Sequence, residues 1–217
     1  MNPSENWRAR FTEYLHHHWQ TGDAAHDVHH LHRVWRTCGR LRSAEERQAD
    51  ELILLAACYF HDFVTVAKND PARDKASLLS ADATANILAL EFSDFPAEKI
   101  SGVHHAIHAH SFSARVPVKT IEAAILQDAD RMEALGAIGI ARMFYTAGKM
   151  GAELFNPEDI LAQNRPLDDK RFSLDHIEAK LLTLPATMNT QAGKQMAIRE
   201  ADFLREFRAK LVAETTD

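Results

Sequence analysis

Along the first sixty residues, apolar positions recur every three to four residues, the period of a helix that buries one face. Trp7, Phe11, Leu15 and Trp19 form one such stripe and predict a helix over 7–20, stopped by Thr21-Gly22-Asp23. Leu31, Val34, Trp35, Cys38 and Leu41 predict a second over 28–41. A third, over 46–60, finishes in the run ILLAACYF. A helix that apolar belongs in a core, and it delivers His61-Asp62 at its C-terminal end. The stretch FVTVAKNDPARDK, punctuated by Asn69-Asp70-Pro71, reads as a loop.

Further helices are predicted over 77–91, 97–109 and 119–126. They are followed by QDADRMEALGAIGIARMFYTAG, whose small residues Ala134, Gly136, Ala137 and Gly139 suit close helix packing. Residues 156–171 are polar and Pro-containing, a long surface excursion of the kind that carries function. Two last helices are predicted over 174–182 and 188–212. No strand pair is legible, VPV at 116–118 being too short. The expectation is an all-α protein of about eight or nine helices.

Composition narrows the class. With 217 residues the chain reads as one domain, or one domain with an appended helical segment. An apolar share of 46% and a charged share of 26% fit an ordinary soluble globular protein. The net charge of −6 and the lack of a basic tract disfavour a nucleic-acid polymer as partner, so an anionic substrate needs a local site or a metal. Cys38 and Cys58 sit in apolar helical patterns and read as buried thiols. The start MNPSENWRARF lacks the apolar core of a signal peptide, and no stretch is apolar enough to span a membrane. A cytoplasmic monomer or homodimer is expected.

Thirteen histidines change the picture. Eleven of them cluster at 16–18, 26–32 and 104–110, and another stands beside an acid at 61. Three segments carry candidate chemistry. His61-Asp62 closes a buried helix, where a charge is costly unless paired. A metal would pair it, and so would a cap or an ordinary hydrogen bond. In HDVHHLHRVW, His26, His29 and His30 recur at helical spacing, and Arg33 follows His30 by one turn. In QDADRMEALG, Asp128 and Asp130 flank an alanine before a small-residue helix. They either favour the dipole of a helix N-terminus or close a metal site.

Together these segments resemble the HD superfamily of metal-dependent phosphohydrolases. The order H…HD…D carries the resemblance. Its first histidine lies in HRVW, its pair closes the AACYFHD helix, and its last aspartate lies in DADRMEALG. AIHAHSF and KLLTLPATMNT add likeness to a bacterial subgroup of small HD hydrolases, over roughly residues 20–205. The resemblance implies an HD-type helical bundle with a core over about 20–150 and C-terminal helices over about 170–213. It implies His30, His61, Asp62 and Asp130 as ligands of one divalent ion: Mn, Mg, Co, Ni, Fe or Zn. The resemblance favours Asp130 over Asp128, because the family's last ligand usually precedes a lysine or arginine and Arg131 follows Asp130; Asp128 then orients a ligand or a water.

Water activated at that ion would hydrolyse a small phosphorylated metabolite, with a nucleotide as the favoured class. Asp62 and His110 are the expected catalytic groups, His110 giving a proton to the leaving group or binding phosphate. Lys68, Asn69, Arg33, His105, Arg142 and Lys180 are candidate substrate contacts, with Arg131 a further cation. His104 and His108 either line the same wall or face solvent. Thr65 and Val66 stand where HD enzymes acting on alarmone nucleotides carry Glu-Asp, which disfavours that activity. A Gly-Tyr-Pro signature of cyclic-dinucleotide cleavage is also missing. The alternatives are a degenerate HD regulatory or binding module and an HD-fold di-iron oxygenase.

Overall fold

A computed structural model describes residues 3–19, 27–66, 73–112 and 114–215. Among them are nine α-helices: α1 (Pro3–His18), α2 (Val28–Ala44), α3 (Glu51–Phe60), α4 (Ala76–Leu90), α5 (Ile100–His110), α6 (Ile121–Met132), α7 (Gly136–Lys149), α8 (Asp175–Ala179) and α9 (Gln191–Thr215). No strand forms among the described residues, apart from an isolated bridge between Glu153 and Phe172. The chain divides into two compact units, Met1–Asp130 and Arg131–Asp217, with the boundary in the last turn of α6.

In the first unit α3 is the central element. Leu54 through Phe60 are all buried, so the helix is enclosed on every side, as its composition requires. It starts later than its pattern predicts because Asp50 caps it, accepting from the backbone N–H of Leu52 at 3.0 Å and Ile53 at 3.1 Å. Lys99 pairs with the same carboxylate. Around α3 the aromatic rings of Phe11, Phe60 and Phe92 meet edge to face, with centroids 5.1–5.3 Å apart.

Residues 97–109 divide into a 3₁₀ turn, Ala97–Lys99, and α5. The larger departure concerns Asp128 and Asp130. Rather than preceding a helix, they lie in the last turns of α6, which carries its apolar face through Ala129 and Met132. The chain breaks only afterwards, in a turn over residues 133–135 in which Leu135 is extended, and Gly136 takes a φ of +63° at the start of α7. Gly139 is required for a different reason: a Cβ there would stand 2.3 Å from the Ala134 carbonyl. The small-residue run therefore forms the tight connection into α7.

The second unit has its own core, in which Met143, Leu174, Ile177, Ala197 and Leu204 are buried together. Its polar excursion is closed at the base by the Glu153–Phe172 bridge and held by Arg165, whose guanidinium makes a forked pair with the buried Asp175. The predicted helix over 174–182 is shorter than its pattern, ending at Ala179 and continuing as 3₁₀ turns over Leu181–Thr187.

Candidate metal centre

Four elements of the first unit bring their side chains to one point. Asp27 caps α2, accepting from the His30 backbone N–H at 2.9 Å, which places His30 in the first turn of that helix. His61 is the C-cap residue of α3, and Asp62 follows it. His110 is the last residue of α5, and Asp130 lies in the last turn of α6.

The donor atoms converge. His30 Nε2 lies 3.4 Å from His61 Nε2, 3.5 Å from Asp130 Oδ1 and 3.9 Å from Asp62 Oδ2. His61 Nε2 lies 3.5 Å from Asp62 Oδ2 and 3.7 Å from Asp130 Oδ1. The other Asp62 oxygen stands 3.7 Å from His110 Nε2. Two overlapping donor sets result: His30, His61 and Asp130, and His61, Asp62 and His110.

Local hydrogen bonds orient two of the imidazoles. His61 Nδ1 donates to the Cys58 carbonyl at 2.7 Å, and His110 Nδ1 donates to the Ile107 carbonyl at 2.6 Å. With the proton on Nδ1, each Nε2 presents a lone pair to the cluster. The two ligand-candidate histidines His30 and His61 are fully buried, whereas Asp62 and Asp130 keep 26% and 31% of their side chains exposed. The cluster thus has a sealed wall and an open side.

Its electrostatics favour a cation. Three helices, α3, α5 and α6, end within a turn of the donors, where a helix carries partial negative charge, while α2 begins there with the opposite sign. A carboxylate in the last turn of α6 is unfavourable there without a compensating positive charge. Burial alone would lower the His61 pKa, but Asp62 and Asp130 outweigh it and hold the imidazole up to about 9. Burial would raise the two carboxylates, yet the surrounding histidines keep both well below the usual range. A donor set of two imidazoles and two carboxylates fits a divalent ion.

The model of the HD domain family matches residues 27–135, the span that contains all of these donors. The chain belongs to this family. It is 31% identical to YpgQ of Bacillus subtilis over 189 residues, covering 85% of this chain and 82% of YpgQ. The crystal structure of YpgQ aligns with a TM-score of 0.73 at 27% identity, covering 97% of this chain and 96% of that one. The structure of YpgQ in complex with ADP gives 0.70 at 27%, covering 97% and 94%. An HD-superfamily hydrolase from Bacillus thuringiensis gives 0.72 at 28%, covering 97% of each chain. The chain has the fold of the HD-superfamily hydrolases.

The HD domain gathers His30, His61, Asp62, Asp130 and His110, and scatters several other candidates. His105 accepts from the Lys119 backbone N–H at 3.2 Å, which ties it to the α5–α6 connection. His104 pairs with Asp82 at 2.7 Å, and His108 stands beside it on α5. Arg33 is half-buried on α2. Within the second unit Arg142 pairs with Glu133 at 3.2 Å, Arg131 donates to the Thr187 carbonyl, and Lys180 is exposed at the end of α8. Lys68, Asn69 and His26 lie outside the described residues.

Asp128 is fully buried in α6, two residues before Asp130. Sequence reasoning missed Ser80. Its hydroxyl bonds both the N–H and the carbonyl of Val64, at 3.0 and 3.3 Å, and so anchors the chain just after Asp62. A serine inside SLLSADAT carries no periodic or motif signal for such a clasp. No helix among the described residues is long and apolar enough to cross a membrane.

Proposed function

We propose that this HD domain is a divalent-metal-dependent phosphohydrolase whose substrate is a small phosphorylated metabolite of the nucleotide class. The observation that carries the reading is the convergence of two imidazoles, two carboxylates and three helix C-termini on one point with an open side. A bound divalent ion supplies activated water and polarises a phosphoryl oxygen. His30, His61, Asp62 and Asp130 would hold it. The complex of YpgQ with ADP supports a nucleotide as the substrate class.

The chain's own groups take the remaining roles. The fixed Nδ1 of His110 leaves Nε2 to move a proton beside Asp62, which suits protonation of a leaving group. Asp62 joins the two donor sets, one oxygen toward the paired histidines and the other toward His110. Lys68, Asn69 and Arg33 are proposed to grip phosphate, since Lys68 and Asn69 follow the His-Asp pair closely and Arg33 stands one turn from His30. His105, Arg142 and Lys180 are weaker candidates, the first two having the structural partners Lys119 and Glu133.

A panel of divalent metals against nucleoside mono-, di- and triphosphates, with phosphate and pyrophosphate read separately, tests the reading. Metal-dependent release of one product by the wild type, lost in Asp130→Asn, is expected. Absence of turnover across the panel, with metal bound, would leave a regulatory module. The second donor set of His61, Asp62 and His110 specifically favours one further reading, a two-metal oxidative centre. An absorption band appearing when anaerobically iron-loaded protein meets oxygen would select it.

A further inference from the structure

The antiparallel pair α2 and α3 is bridged by two hydrogen-bonded rungs. One is His30 to His61, at 3.4 Å. The other is His32 Nδ1 to the Tyr59 hydroxyl, at 2.8 Å. Residues two apart on a helix are separated by about 200° around its axis. The rungs therefore lie on opposite sides of the α2–α3 seam, and only the first belongs to the metal centre. The second opens into a cavity of about 840 Å³ walled by α1, α2 and α3. None of His30, His61, Asp62, His110 and Asp130 lines that cavity.

Its walls combine three kinds of chemistry. Tyr59, only 1% exposed, and His32 form a hydrogen-bonding floor. Trp35 adds a half-buried indole beside it. Arg8 from α1 and Arg36 from α2 bring two guanidiniums, and Arg36 stands one turn from His32 on the same helix face. Neither arginine makes an ion pair among the described residues, whereas nearby Arg10 is paired with Asp94. Glu5, Glu13, His16 and His17 also line the space, which is open to solvent along one side. The two carboxylates offset the two guanidiniums, which disfavours a polyanion.

We propose that this cavity is a second ligand site, separate from the metal centre, for an aromatic ring that carries one anionic group. The ring stacks on Trp35, the anion lies between Arg8 and Arg36, and the Tyr59–His32 floor supplies polar contacts. Phosphate, carboxylate and sulfonate share the anion chemistry.

Naphthalene-1-sulfonate is a suitable probe, because a phosphohydrolase has no bond in it to cleave. Calorimetric titration into the full-length protein should show one site, with or without a divalent metal. The Arg8→Gln/Arg36→Gln double variant, whose melting temperature should match the wild type because both side chains are exposed, should weaken binding at least tenfold. Trp35→Leu should weaken it as well. Asp130→Asn should leave it within twofold. Inorganic sulfate, which lacks the ring, should compete only at concentrations far above those of the probe. Unchanged affinity in the double variant, unchanged affinity in Trp35→Leu, or loss of affinity in Asp130→Asn would each overturn the proposal. The same measurements keep it apart from the phosphohydrolase reading, which the hydrolysis panel tests alone.

Discussion

His61 and Asp62 are neighbours in sequence and reach the cluster together from the C-terminal end of α3. His61 has lost solvent entirely, and its Nδ1 is committed to Cys58. Replacing either His61 or Asp62 with alanine should abolish both metal binding and hydrolysis, as read by metal content after dialysis and by released phosphate. Full activity with metal retained in either variant would remove the central assignment. Within α6, Asp130→Asn should remove the metal, whereas Asp128→Asn should cost roughly 10–100-fold in metal affinity or activity, the usual scale for a group that orients a ligand. The reverse pattern would exchange their roles. These residues were legible because the H…HD…D order is itself the signal. The fate of His105 was not, since its partner is a backbone N–H fourteen residues away that no local pattern announces.

Among the elements, α3 was the most legible, because a run of seven buried residues leaves little choice but the core. Its start was less so: a side-chain cap at Asp50, and not the apolar pattern, decides where the helix begins. The end of α6 was misread for a related reason. Apolar and small residues continue across Asp130 into α7, and the two helices are separated only by the short turn through Leu135, whose backbone is extended, and by the positive φ at Gly136. Phe60, buried at the end of α3 against Phe11, should be costly to remove. Phe60→Ala is expected to lose about 3–5 kcal/mol of unfolding free energy, measured by urea titration of the metal-free protein.

Burial would raise the Asp175 pKa, but the Arg165 guanidinium and the Asp168 N–H outweigh it and hold the carboxyl below its ordinary value of 3.8. A depressed folded-state pKa contributes stability above the unfolded value and loses it as pH falls through the folded one. The gap in urea midpoint between wild type and Asp175→Asn should therefore be largest above about pH 5 and close progressively below pH 3.8. A gap that does not change with pH would mean that Asp175 acts by packing alone.

For the molecule as a whole, the metal centre is a meeting of helix ends rather than a property of any one helix. No single segment of the sequence announces it: α2, α3, α5 and α6 each contribute one or two donors, and each segment alone has an ordinary structural explanation. Without a cation, the two carboxylates and the helix C-termini that end at the cluster are offset only in part, by the surrounding imidazoles and by the N-terminus of α2. Folding places these groups together and the unfolded chain does not, so an ion that binds the folded state must stabilise it by mass action. The stabilisation should be about 2.7 kcal/mol at a free ion concentration 100 times Kd and about 4.1 kcal/mol at 1,000 times. Thermal unfolding with Mn added in steps should therefore show a melting temperature that climbs with the logarithm of concentration and returns on chelation. Asp130→Asn should abolish the climb, while Asp94→Asn, which breaks only the exposed pair with Arg10, should preserve it. A melting temperature that ignores Mn in the wild type, or a climb that survives in Asp130→Asn, would show that the cluster is held together by its own hydrogen bonds and not by a metal.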